Sequence, residues 1–208
     1  VDGDLFRPPL PKADVELVAL KYEIEFDPVF DPMRTVGINY VGGFGNKHSP
    51  KIMFVGEAPG PMENVKLKPF VGGAGSVFRN LLKKFEIKDT DIFITNVCKY
   101  MPCHPNTLDF RKPTLDEIKA FRPYLLKEID IVDPIVVCLL GNVPLQTYFN
   151  FEQKSVTKCH GIWTDEEPDP LVFVTFHPSS VQYDTTGEKL KIIEGDFKQL
   201  AERIYADN

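Results

Sequence analysis

Four short apolar runs constrain this chain more than any other feature. They fall at 51–56 (KIMFVG), 91–97 (DIFITNV), 134–140 (PIVVCLL) and 171–176 (LVFVTF). A strand with one wet face alternates apolar and polar side chains, whereas a strand covered on both faces reads as a near-continuous apolar run. Between and after these runs lie segments of helical period. Residues 75–85 put Val77, Phe78, Leu81, Leu82 and Phe85 on one stripe. Residues 190–204 space Leu190, Ile193, Phe197, Leu200 and Ile204 three or four apart. Residues 114–131 open on Thr114 with Glu117 three positions on, the spacing of a capping box. A shorter helix is read over 142–149. Strand and helix in repetition predict an α/β fold, a four-stranded parallel sheet with right-handed crossovers and helices on both faces.

Residues 1–50 read differently. A short helix over 14–22 would turn Val15, Val18 and Ala19 inward. Residues 26–32 (FDPVFDP) are expected to be extended or turning, because each proline disfavours helix at the residue before it. A strand is read over 36–44, ending in the Gly42-Gly43 turn. The expected division is an irregular N-terminal arm, 1–50, packed on an α/β domain, 51–208. A chain of 208 residues can bury a sizeable core. No apolar run approaches the ~20 residues of a membrane helix, and the first residues lack an apolar signal core. None of the four cysteines form a C-x-x-C pair, and Cys138 reads as a small core residue. A reduced intracellular setting, cytoplasmic or nucleoid, is the expectation. The net charge of −6 argues against nucleic-acid binding through bulk charge but leaves a local basic groove open.

In open parallel sheets ligands bind beyond the carboxyl ends of the strands. After the first run come Gly56-Glu57-Ala58-Pro59-Gly60 and then Glu63. After the second come Asn96, Lys99 and an aromatic-led loop, 100–106. The third is followed by Gly141-Asn142, and the fourth by His177-Pro178-Ser179-Ser180. Any one of these fits an ordinary strand-to-loop connection with a solvated Glu. All four share one sheet edge, however, and a Glu pair, an Asn and a His gathered there exceed what a scaffold requires.

Taken in order, GEAPGPMEN, PFVGGAG, ITNVCKY, LGNVPLQTYF and TFHPSSV resemble the uracil-DNA glycosylase superfamily, and within it family 4 most closely. The resemblance runs from about residue 51 to 205. It implies a base-flipping hydrolase that removes uracil from DNA and leaves an abasic site, as in base excision repair. It implies Phe70 as the ring on which uracil stacks, Asn96 as the amide that reads its polar edge, and His177 as the donor to the charge developing on O2. Glu57 would position the water. Ala58 stands where other branches carry a stronger Asp or Asn base. Glu63 would sit near C5 of the base, where it would help exclude thymine, and backbone N–H groups from Gly56 onward would contact base or phosphate. Ser179 and Ser180 would donate to phosphates, with Val181 or Gln182 as a wedge in the vacated stack. Lys66, Lys68 and Lys99 lie near the implied mouth.

The chain also departs from the family pattern. Family 4 enzymes usually hold an iron–sulfur cluster on four cysteines, two of them paired upstream of the first strand. Residues 26–34 contain none, and Phe121 stands where a third is expected, so no cluster and no metal are expected here. Asn64 replaces a usual acid and Tyr183 a usual arginine. Three readings remain open at this point. One is an active glycosylase on uracil-containing DNA, working in a host cell if viral. Another is a weak or inactive glycosylase-fold protein that binds DNA or a replication or repair partner. The third is an enzyme of altered base specificity.

Overall fold

In the computed structural model, which describes residues 10–163 and 170–206, the strands are β1 (Phe44–Gly45), β2 (Ile52–Gly56), β3 (Ile92–Asn96), β4 (Val136–Leu140) and β5 (Leu171–Thr175). Residues 1–9, read above as lacking a signal core, lie outside the described range. The four apolar runs pair in parallel, in the order β3-β2-β4-β5. Every residue of β2, β3 and β4 is buried, as unbroken apolar runs require.

The strand count needs correction. β1 adds a fifth strand, antiparallel to β3, with Phe44 opposite Ile94 and Gly45 opposite Phe93. The strand read over 36–44 survives only in its last residue and the next. A Cβ at Gly45 would lie 2.3 Å from the Ile92 carbonyl oxygen, and the backbone there has φ +127°. Glycine alone permits that approach. The sheet therefore draws its edge from the arm side of residue 50.

The helices are α1 (Lys12–Phe26), α2 (Asp31–Thr35), α3 (Pro61–Lys66), α4 (Gly73–Lys84), α5 (Leu115–Val132), α6 (Asn142–Tyr148), α7 (Val156–Cys159) and α8 (Glu188–Tyr205). On one face of the sheet, the Phe54 ring meets Phe78 of α4 at 4.9 Å and Phe197 of α8 at 5.8 Å. On the other lies α5, whose Thr114 and Glu117 exchange the two capping-box bonds. α1 packs outside α5. It is longer than expected, and Val15, Val18 and Ala19 are exposed. Its inward stripe is Leu17, Leu20 and Ile24, with the last two fully buried.

Residues 26–32 also fold otherwise than expected. They form a 3-10 turn, Pro28–Phe30, that leads into α2. Each proline occupies the first turn of its helix, where a missing N–H costs nothing, and the Asp27 carboxylate accepts the Val29 N–H at 2.9 Å. Tyr124 of α5 donates to the same carboxylate at 2.6 Å, which ties the arm down.

Candidate active site

The carboxyl ends of β2 to β5 open into a cleft of about 790 Å³. Glu57, Glu63, Phe70, Asn96, His177 and Gln182 line it together, although up to 125 residues of chain separate them. Ser179 and Ser180 line it as well. Gly56 lies directly beneath. A Cβ built on it would stand 2.4 Å from Asn96 Oδ1 and 2.7 Å from Phe70 Cζ. The ring and the amide thus meet over a floor that only glycine leaves open.

Phe70 is 5 % exposed and sits in the left-handed region, φ +53°. That conformation costs a residue with a Cβ about 1–2 kcal/mol, so its neighbours must hold it. Glu63 does so. One carboxylate oxygen accepts the Val71 N–H at 2.9 Å and the Gly72 N–H at 2.7 Å, and the other accepts the Gly60 N–H at 3.2 Å. A short helix, α3, delivers this carboxylate, with Pro61 in its first turn and Glu63 at the third position. That pair is a helix-start signature, yet the stretch reads as a charged loop until the fold is seen. Gly75 completes the clamp, since a Cβ there would fall 2.1 Å from the Phe70 carbonyl oxygen. Across the cleft the Phe70 ring faces the His177 ring at 5.7 Å.

His177 follows β5. Its Nδ1 accepts the Ser179 N–H at 3.2 Å and lies 2.7 Å from Ser179 Oγ. A backbone N–H only donates, so Nδ1 carries the lone pair and the imidazole proton sits on Nε2. Burial drives the pKa down to about 4, against a smaller upward pull from Glu63. At neutral pH the ring is therefore uncharged and presents one N–H donor. Ser179, expected to meet phosphate, is engaged with this histidine instead. Ser180 also lines the cleft, but its hydroxyl is buried and finds no partner among the described residues.

Asn96 ends β3 at 4 % exposure, and its side-chain amide finds no hydrogen-bond partner among the described residues. A buried amide without a protein partner is open to a ligand's polar edge. Glu57 lies at the turn after β2. Burial raises its carboxyl pKa, and the Lys112 ammonium pulls the other way. Lys112 lines the cleft, and nothing in its sequence neighbourhood marks it out.

Two expected contacts are displaced. Val181 packs against the core rather than into the cleft, so Gln182 and Tyr183 form the lip. Tyr183 is 84 % exposed. The three lysines also separate. Lys66 is exposed, Lys68 lies 3.5 Å over the Phe44 ring, and Lys99 is fully buried against Glu128.

The family model of the uracil DNA glycosylase superfamily matches residues 43–201. The chain belongs to the uracil-DNA glycosylase superfamily. Several of its relatives are described as type-4 uracil-DNA glycosylases. A type-4 uracil-DNA glycosylase of Sulfurisphaera tokodaii is 40% identical over 161 residues, covering 73% of this chain and 69% of that protein. The Thermotoga maritima protein of the same description is 35% identical over 168 residues, 81% of this chain and 84% of the other. A DNA polymerase of Bacillus phage SP01 matches at 32% identity over 158 residues, 76% of this chain but 15% of the polymerase. The superfamily match begins at residue 43, one position before the edge strand β1.

Proposed function

We propose that this chain is a monofunctional uracil-DNA glycosylase that flips uracil into the cleft and hydrolyses its N-glycosidic bond. The carrying observation is that one cleft gathers a buried amide with no partner among the described residues, packed with the Phe70 ring over Gly56, and a neutral histidine that offers one N–H. Unstacking the nucleotide costs a few kcal/mol. Stacking on the Phe70 ring returns about 1–3 kcal/mol. The Asn96 amide accepts from N3–H and donates to a carbonyl of the base. As the bond to C1′ breaks, its electron pair leaves on uracil, and His177 Nε2–H donates to O2. One such donor is worth about 10²–10³ in rate. Glu57 holds the water that adds to C1′, and with Ala58 beside it that help is weak. Ser180 and Lys112, at the cleft wall, are assigned to the DNA backbone in this reading, the buried Ser180 hydroxyl turning outward to reach it.

No iron–sulfur cluster forms part of this reading. Phe121, where a cluster cysteine is expected, stacks on Phe30 at 4.2 Å and 17°, and Tyr100 closes the group at 6.0 and 6.2 Å. These aromatic carbons supply no ligand, and no group of three metal-ligating side chains occurs among the described residues. The buried rings tie the 26–34 segment to α5 by packing instead. Iron and sulfide analysis of the purified protein checks this, and stoichiometric iron would refute it.

A replication partner is supported by the superfamily segment within a phage DNA polymerase. Co-elution with a polymerase tests that association. No helix among the described residues is long and apolar enough to cross a membrane.

The decisive assay is incubation with uracil-containing single- and double-stranded DNA, followed by detection of abasic sites. Release that drops by orders of magnitude in His177→Ala and Asn96→Ala supports the proposal. No release at high enzyme concentration sinks it.

A further inference from the structure

Lys99 is the most unusual charge in the molecule. It is fully buried, and so is its partner Glu128, in the layer between β3 and α5. A lysine ammonium has three protons to place. Here all three find acceptors: Glu128 Oε2 at 2.5 Å, Thr95 Oγ1 at 2.6 Å and the Asn96 carbonyl oxygen at 2.7 Å. Thr95 Oγ1 in turn donates to Glu128 Oε2 at 2.9 Å, which closes the network. A well-packed apolar pair of similar volume is often as stable as a buried ion pair, or more so. Stability is therefore a weak reason for this arrangement, and what the ammonium holds supplies a better one.

It holds the peptide of Asn96. β2 and β3 end their ladder at the Gly56–Asn96 pair, and the next amide, Val97 N–H, bonds back to the Gly56 carbonyl. The Asn96 carbonyl takes its bond from Lys99, a charge-assisted contact about twice as strong as a neutral one. The Asn96 side chain has no such anchor. Its amide direction is set only by its own backbone and by the Gly56 floor. A recognition group must be held within about 0.5 Å of its productive position, and clamping the peptide fixes the Cα–Cβ vector that aims the amide.

We propose that Lys99, seated by Thr95 and Glu128, is a positioning residue for base readout by Asn96. This rests on the glycosylase reading above. Lys99 touches no substrate and acts through the residue it holds.

The test replaces the pair with apolar side chains, Lys99→Met with Glu128→Leu, in the full chain. Three quantities are read: kcat/KM for uracil excision, inhibition by free uracil, and affinity for uracil-free DNA. A misplacement approaching 1 Å is worth about 100-fold in rate. The expected result is a folded protein with kcat/KM down by about 10- to 100-fold. Inhibition by free uracil should weaken in parallel, with uracil-free DNA bound as before. Thr95→Val, which keeps the shape and removes the hydroxyl, should move the same quantities in the same direction, and Thr95→Ser should restore them. Wild-type excision and wild-type uracil inhibition in the folded double variant would overturn the proposal. So would a loss shared equally by uracil-free DNA binding, which marks a merely structural role. Should the double variant not fold, the Thr95 pair decides alone, and equal activity of Val and Ser there refutes the idea. A wild-type protein that releases no uracil would instead refute the glycosylase reading.

Discussion

Replacing Gly56 by alanine tests the whole construction of the proposed base pocket with one methyl group. The new Cβ would lie 2.4 Å from Asn96 Oδ1 and 2.7 and 2.9 Å from Phe70 Cζ and Cε2. Ordinary contact begins at 3.4 Å, so the amide oxygen must retreat by about 1 Å and the ring by about 0.7 Å. Both line the cleft and would have to move into it. Phe70 is held by the Glu63 clamp on its following residues, and Asn96 is held through its carbonyl by Lys99. Overpacking of this kind costs about 1–3 kcal/mol. In a domain of this length each kcal/mol lowers Tm by roughly 2–4 °C. A shift near 1 Å at the recognition group costs about 100-fold in rate. Steady-state excision from a single-uracil oligonucleotide and a thermal melt read the two effects. The expected Gly56→Ala protein folds, melts a few degrees early, loses about two orders of magnitude in kcat/KM, and still binds uracil-free DNA. Wild-type kcat/KM with an unchanged Tm would refute the pocket as described, because nothing would then press on that floor.

Three further outcomes follow from particular residues. His177 titrates near pH 4 when folded and near its ordinary value of 6.5 when unfolded. The unfolded chain therefore binds more protons between those values. This contribution is fully present above pH 6.5 and is lost as pH falls to about 4, up to about 3 kcal/mol. Denaturant melts at both ends of that window should show the slope, and His177→Gln should flatten it. Glu63→Gln turns an amide NH₂ toward backbone N–H donors at one end of the clamp. It should cost about 1–3 kcal/mol and raise KM for uracil-DNA as Phe70 loosens, and an unchanged KM would count against the clamp. Gly195→Ala is the control. This glycine lies inside α8 with nothing within 4 Å of a new Cβ, so the variant should gain about 1 kcal/mol with unaltered excision.

The parallel core was legible because burial on both faces leaves its mark in the side chains themselves. Ile52 to Val55 and Val136 to Leu140 are apolar throughout, since no face of either strand meets water. The edge strand was not legible. Two residues, Phe44 and Gly45, carry no period, and their pairing depends on Ile94 and Phe93, about fifty positions away. The inward face of α1 was misread for a related reason. Alternative stripes compete on a helix whose outer face also carries valines, and only the position of α5 selects Leu17, Leu20 and Ile24.

At the cleft, sequence determined which groups are present: the order of the motifs, Phe70, Asn96 and His177, and the cysteines that are missing. Which partner each group takes was settled by distance. Glu63 reads as a free carboxylate until Val71 and Gly72 close on it, and Ser179 as a phosphate ligand until it meets His177 Nδ1. Lys99 reads as a surface cation until Glu128, 29 positions on, is brought against it. Charge and hydrogen-bonding capacity are properties of a residue and can be read one letter at a time. Which partner satisfies them, and which group is left over for a ligand, depends on contacts that only the folded chain creates.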